Sequence, residues 1–209
     1  MSRNFEMKDL DDASFVIGTQ IHQDRSQGIL GLSQRSYVEK VLKRFGMHDC
    51  KSFDTLVTKG DKFSLNQCPK GNLKIQELQK TLYALVVGSL MYVKICTRQD
   101  IAYIVRVLGR YLSSLGMDHW KAAKKVMRYL QRTKEYMLTY MSLDQLEIIG
   151  YSNSYFVGCQ DSLRSTSCYI FMSVSGVVSW CSAKQSITTS STMATKLQHH
   201  VRHQIKEYG

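Results

Sequence analysis

Hydrophobic and polar positions along the chain change period twice. Residues 14–23, "SFVIGTQIHQ", alternate well enough for a strand; "DRSQG" supplies a turn and "ILGLS" (29–33) a return strand. Ser33 is then placed to cap a helix over 34–46, with Tyr37, Val38, Val41, Leu42 and Phe45 on one face. Arg35, Lys40, Lys43 and Arg44 lie towards the other side, and Gly46 ends it. Residues 47–74 carry no clear period and read as a long connection.

Three helical stretches follow. Residues 75–96 are apolar nearly all round in the middle, which predicts a buried helix. Residues 100–116 are amphipathic and end in Gly116. Residues 118–133 set Trp120, Ala123, Met127 and Leu130 on one face and Lys121, Lys125, Arg128 and Arg132 along another. That basic stripe can track a phosphate backbone, and a solvated helix face explains the same pattern. After Thr133 the period becomes strand-like: 136–141, 146–153, 165–174 and 176–184 read as four strands, with a hairpin join at Ser175 and Gly176. A helix is predicted from about Ser190. The fold class is α+β, with a domain boundary near residue 142.

Composition narrows the function. The net charge of +11 and pI near 9.4 point to a polyanionic partner, most simply nucleic acid; a solubilising surface is the alternative. No apolar run approaches the roughly 18 residues of a membrane span, so no membrane is implied. The start, "MSRNFEMKDLDD", does not read as a secretory signal; the expectation is cytoplasmic or nuclear, not secreted. Cys50, Cys68, Cys96, Cys159, Cys168 and Cys181 form no C-x-x-C pair and read as reduced thiols. Zinc at the last three would need a fourth ligand, and none presents itself.

Specific blocks then occur in a recognisable order: "FEMKDL", "SFVIGTQIHQDRSQGILGLSQRSYVEKVLKRFGM", "VGSLMYVKICTRQDIAYIV", "HWKAAKKVMRYLQRTKEYMLTY", "GYSNSYFVGCQDSLRSTSCYIF" and "SWCSAKQSITTSST". They closely resemble the C-terminal end of the Pol polyprotein of copia-type retrotransposons, over almost the whole chain. The resemblance implies that residues 1–142 are the end of a reverse transcriptase and its connection region. It implies that 143–209 are a truncated ribonuclease H-like mixed α/β domain. Polymerase aspartates would precede "FEMKDL", so the chain is not expected to polymerise DNA.

The ribonuclease H positions are altered. Where the family reads G-Y-S-D-S-D-F-A-G, the first metal-binding aspartate falls on Asn153 and the second acidic position on Tyr155. The catalytic glutamate of S-S-T-M-A-A-E-F falls on Lys196. Two Mg²⁺ ions about 4 Å apart need carboxylates to neutralise them; an amide is a weak ligand and a lysine repels a cation. Asp161 alone cannot rebuild such a site. The family uses Mg²⁺; here no cofactor and no nuclease activity are expected.

Further departures strike prolines and glycines: Ser52 and Leu56 in C-K-P-x-x-T-P, Gln99 in R-P-D-I, Leu115 in N-P-G, and Cys168 in S-T-S-G-Y. Each is reachable by one base change, the signature of drift without selection. His199 and His203 are spaced i, i+4, which invites a metal-site reading, but the family's E-A-S-N-Q-G-I-W gives another account. Back-translated as GAG GCA TCA AAT CAA GGA ATA TGG and read one base later, it yields R-H-Q-I-K-E-Y-G, matching Arg202 to Gly209. A single-base deletion near the Leu197 codon explains the tail, and sequencing the locus in both frames tests it.

The sequence therefore predicts a catalytically silent Pol fragment with sequence-independent affinity for RNA–DNA hybrid or other nucleic acid. Lys121, Lys125, Arg128 and Arg132 are its candidate contacts. The alternative is a domesticated nucleic-acid-binding or effector-like regulatory protein. A domain lacking its later elements is also expected to leave a sheet edge and an apolar face uncovered.

Overall fold

A computed structural model describes residues 14–56, 63–68, 73–142, 147–155, 161–162, 164–173 and 176–186, with 188, 191 and 193 (backbone only for 73–79 and 155). The first element is a hairpin of β1 (Phe15–Val16) and β2 (Thr19–Asp24), not one strand over 14–23. The break falls at Ile17 and Gly18, which both take positive φ, 45° and 73°. Such a two-residue turn suits the right-handed twist of its strands, and Gly18 supplies one of the two left-handed positions without a Cβ penalty. Strand β3 (Ile29–Ser33) pairs with β2, and Asp24 closes the turn between them by accepting from the Ser26 and Gln27 amides.

Helix α1 (Arg35–Arg44) buries Val38, Val41 and Leu42, the expected face. The Ser33 hydroxyl accepts from the Arg35 amide at 3.3 Å, which ties strand end to helix start, while Gln34 holds the cap position. Helix α2 (Leu73–Cys96) buries Tyr83, Val86, Val87, Leu90 and Val93 completely. It is not buried all round, because Leu82 and Leu85 are exposed. The amphipathic stretch after it is shorter than expected. A 3-10 turn (Gln99–Ile101) leads into α3 (Ala102–Leu108) and a second 3-10 turn ends at Tyr111.

Gly116 does not terminate that helix; it caps the next one, α4 (Met117–Arg132). A Cβ on Gly116 would lie 2.4 Å from the Gln67 carbonyl oxygen, so the close passage of the 65–67 turn demands glycine there. Helix α4 buries His119, Ala122, Ala123, Val126, Met127 and Leu130 at helical spacing. One core joins α1, α2, α3 and α4 around Leu42, Leu90, Leu108 and Leu130.

Strand β4 (Met137–Met141) returns to pair antiparallel with β3, about a hundred residues earlier in the chain, giving a sheet of order β1-β2-β3-β4. A second antiparallel sheet has β5 (Ile148–Tyr155), β6 (Thr166–Ser173) and β7 (Gly176–Lys184) in sequence order. The predicted boundary at residue 142 lies between the sheets, yet hydrogen bonds cross it. Tyr140 donates to the Val177 carbonyl at 2.7 Å, Trp180 Nε1 to the Lys94 carbonyl at 2.8 Å, and Arg110 to Thr166 Oγ1 at 2.9 Å. The helix predicted from Ser190 and the tail with His199 and His203 lie outside the described residues.

Buried polar groups lock the element ends together. Arg98, 4% exposed, grips Asp100 with two nitrogens at 3.0 and 2.6 Å. It also donates to the Thr133 carbonyl at 2.9 Å and to Thr133 Oγ1 at 2.6 Å. Tyr129 donates to Asp100 at 2.8 Å, and the Tyr129 and Tyr136 rings flank the guanidinium. Burial pushes the Asp100 carboxyl up, but the Arg98 hydrogen bond and charge with the Tyr129 hydroxyl outweigh it and hold the group below the usual range. Removing one member of a buried pair strands the other. Arg98→Met is therefore expected to cost roughly 3 kcal/mol in urea unfolding, and a loss under about 1 kcal/mol would contradict the clamp.

Candidate functional site

Two of the three candidate nuclease positions, Asn153 and Tyr155, lie on the second sheet. Asn153 is exposed on β5, opposite Cys168 of β6, which is itself opposite Ser182 of β7. The Cys168 thiol donates to Ser182 Oγ at 3.3 Å, and burial keeps that thiol protonated by pushing its pKa up. Tyr155 is paired through its backbone with Thr166; its side chain and Lys196 lie outside the described residues. Asn153 thus sits on an accessible strand surface, flanked across the sheet by a thiol and a hydroxyl rather than by acids.

Asp161 is committed elsewhere. Its carboxylate accepts from the Leu65 amide at 2.8 Å and shares the one Tyr111 hydroxyl proton, at 3.0 Å, with the Phe63 carbonyl at 2.8 Å, which latches the loop after β5 onto the helical core. Tyr111 stacks on His119, with ring centroids 4.0 Å apart and planes 14° from parallel. His119 is fully buried, and its Nδ1 accepts from the Gly116 amide at 2.9 Å, so the ring proton sits on Nε2. Burial lowers the His119 pKa, against the pull of Asp118 and Asp161. Sequence reasoning missed this latch; a histidine three residues after a helix-starting glycine was the available signal. Among the described residues, no three His, Cys, Asp or Glu side chains converge to hold a metal ion.

The structure brings the four basic candidates onto one face of α4 and lays the 48–54 segment along it. Lys121 lies 3.5 Å from Asp118 and is 70% exposed. Lys125 and Arg128 each sit 5.2 Å from the centre of the Phe53 ring. Arg128 also donates to the Lys51 carbonyl at 2.6 Å, and Arg132 pairs with Asp54 at 2.6 Å. Exposed cation–π contacts and surface ion pairs are worth only up to about 1 kcal/mol each. A phosphate backbone can therefore compete for these cations.

A cleft of about 510 Å³ opens where β7 meets β4 and the end of α2, lined by Lys94, Cys96, Tyr140, Trp180 and Cys181 among others. Burial and the nearby Arg106 lower the Lys94 pKa.

Among the described residues, four α-helices and two antiparallel sheets define an α+β protein. By sequence the chain matches, over about nine-tenths of its length, a part of retrovirus-related Pol polyproteins from copia-type transposons. It is 36% identical to the Pol polyprotein from transposon TNT 1-94 of Nicotiana tabacum over 92% of its length. It is 32% identical over 93% of its length to that from transposon RE2 of Arabidopsis thaliana. The chain spans 14% and 13% of those two proteins. It is also 41% identical, over 53% of its length and 78% of the relative's, to the secreted RxLR effector protein 161 of Plasmopara viticola. No family model and no solved structure matches the chain. Among the described residues, no helix is long and apolar enough to cross a membrane.

The buried His119 sets a pH dependence. Its unfolded pKa, near 6.5, lies above its folded one, so on acidification the unfolded chain takes up a proton first. Stability is expected to fall as pH drops below 6.5 and to level off once the folded ring also protonates. Urea titrations across that window should show the slope, and His119→Phe should flatten it; an unchanged slope in the variant would contradict the assignment.

Proposed function

We propose that the chain is the segment of a copia-type Pol polyprotein where the reverse transcriptase ends and the ribonuclease H-like domain begins, with the nuclease chemistry lost. Residues 1–142 correspond to the polymerase tail and connection region, and 143–209 to the first part of the nuclease domain. The observation that carries this reading is Asn153, exposed on β5 where the family places a metal-binding aspartate. The carboxylate of Asp161, in the following loop, is occupied by Leu65 and Tyr111. A neutral amide without neighbouring acids cannot balance a pair of divalent ions.

What remains is charge. A basic surface centred on Lys121, Lys125, Arg128 and Arg132 supports sequence-independent contact with RNA–DNA hybrid or another nucleic acid through phosphates. The relative described as a secreted RxLR effector favours a second reading, a domesticated effector-like regulatory protein. The chain carries no R-x-L-R string, and purifying selection on a stable transcript would separate that reading from a relic.

With labelled RNA–DNA hybrid and Mg²⁺, the chain is expected to bind without cleaving, and the affinity to fall steeply with salt. Lys121→Ala with Lys125→Ala should lower the slope of log K against log salt by about 1–2. Mg²⁺-dependent cleavage that Asn153→Ala abolishes would overturn the silent-nuclease reading. Salt-insensitive binding would overturn the phosphate one.

A further inference from the structure

Three of the four basic side chains on α4 are engaged by the chain itself. Residues 48–54 run along the helix, with Met47 before them and Leu56 after them packed against the helical core. Between those apolar anchors the contacts are polar. Lys125 and Arg128 flank the Phe53 ring, Arg128 donates to the Lys51 carbonyl, and Arg132 pairs with Asp54. Gln131 donates to the His48 carbonyl at 2.7 Å, and the Phe53 amide to the Arg128 carbonyl at 3.4 Å. Lys121 lies a turn before these contacts and stays 70% exposed. The Asp54 carboxylate offers Arg132 what a phosphate would, an oxygen anion that accepts from a guanidinium. Asp54 and Arg132 are both well exposed, and such surface pairs are weak enough to be exchanged.

We propose that residues 48–54 are an autoinhibitory strap over the basic stripe, in which Asp54 stands in for phosphate at Arg132 while Phe53 holds Lys125 and Arg128. A phosphate backbone lands first on Lys121, the exposed end, and engages the other three cations by displacing the strap. The anchors at Met47 and Leu56 keep the displaced segment tethered, so it closes again when the polyanion leaves. The strap rests on the phosphate reading of α4 and deepens it by setting a threshold, because a sparse polyanion meets one open cation rather than four. Both sides of the contact are described parts of this chain, so it does not depend on what lies beyond either end.

Fluorescence anisotropy with labelled RNA–DNA hybrid over a salt series tests the strap in the full chain. Phe53→Ala changes no charge. It is expected to tighten binding about threefold and to steepen the slope of log K against log salt by about 1, as a released cation takes a phosphate. Asp54→Asn should tighten binding more than Glu147→Gln, which removes the same charge away from the strap. Arg132→Ala should weaken binding more in the Asp54→Asn background than in the native one, where Arg132 already has a partner. If Phe53→Ala loses the native circular dichroism spectrum, Asp54→Asn against Glu147→Gln decides alone. Strap variants that bind no tighter than these references, beside a native chain that binds in a salt-sensitive way, overturn the strap and leave the phosphate reading standing. Salt-insensitive binding, or none, by native chain and variants alike overturns both.

Discussion

The clamp of Arg98 on Asp100 and Thr133 is the constraint on which the rest of the fold depends. It joins the end of α2, the start of the following 3-10 turn, the C-terminal end of α4 and, through Tyr136, the entry to β4. Nearby, Thr97 donates to Gln34 at 2.8 Å and so ties in the start of α1. A desolvated guanidinium is costly unless every face finds a partner. Here two oxygens of one carboxylate, a carbonyl, a hydroxyl and two rings supply them. The clamp ties the ends of α2 and α4 to one another beside the apolar core.

Once β4 is fixed, it closes the first sheet beside β3 and presents Tyr140 to β7. The second sheet is then held by a few directed bonds: Tyr140 to Val177, Trp180 to Lys94, Arg110 to Thr166 and the Asp161 latch. These anchor β7 and the loop after β5, and among the described residues β5, which carries Asn153, is the outermost strand of the second sheet.

Much of this was legible along the chain. The faces of α1 and α4 follow from 3.6-residue spacing, and the switch to strands after Thr133 is where β4 begins. The turn at Ile17 and Gly18 was hidden because an isoleucine at positive φ gives no turn signal. The pairing of β4 with β3 was hidden because register between distant strands is set by packing rather than by local pattern. Asp161 and His119 were obscured for a similar reason: each becomes meaningful only when Tyr111 stands between them. Two substitutions that look damaging are absorbed. Gln99 opens a 3-10 turn, where a proline's missing N–H needed no replacement, and Cys168 lies in a strand without positive φ.

The account is thus of a scaffold with a buried polar clamp and one helical core, and of a proposed loss of metal chemistry that rests on the amide of Asn153 on β5. A backbone-resolved NMR titration with paramagnetic Mn²⁺, standing in for Mg²⁺, reads that strand directly. The account predicts weak, non-saturating broadening with no focus on β5. Saturable broadening centred on Asn153 and its cross-strand neighbour Cys168 would contradict it.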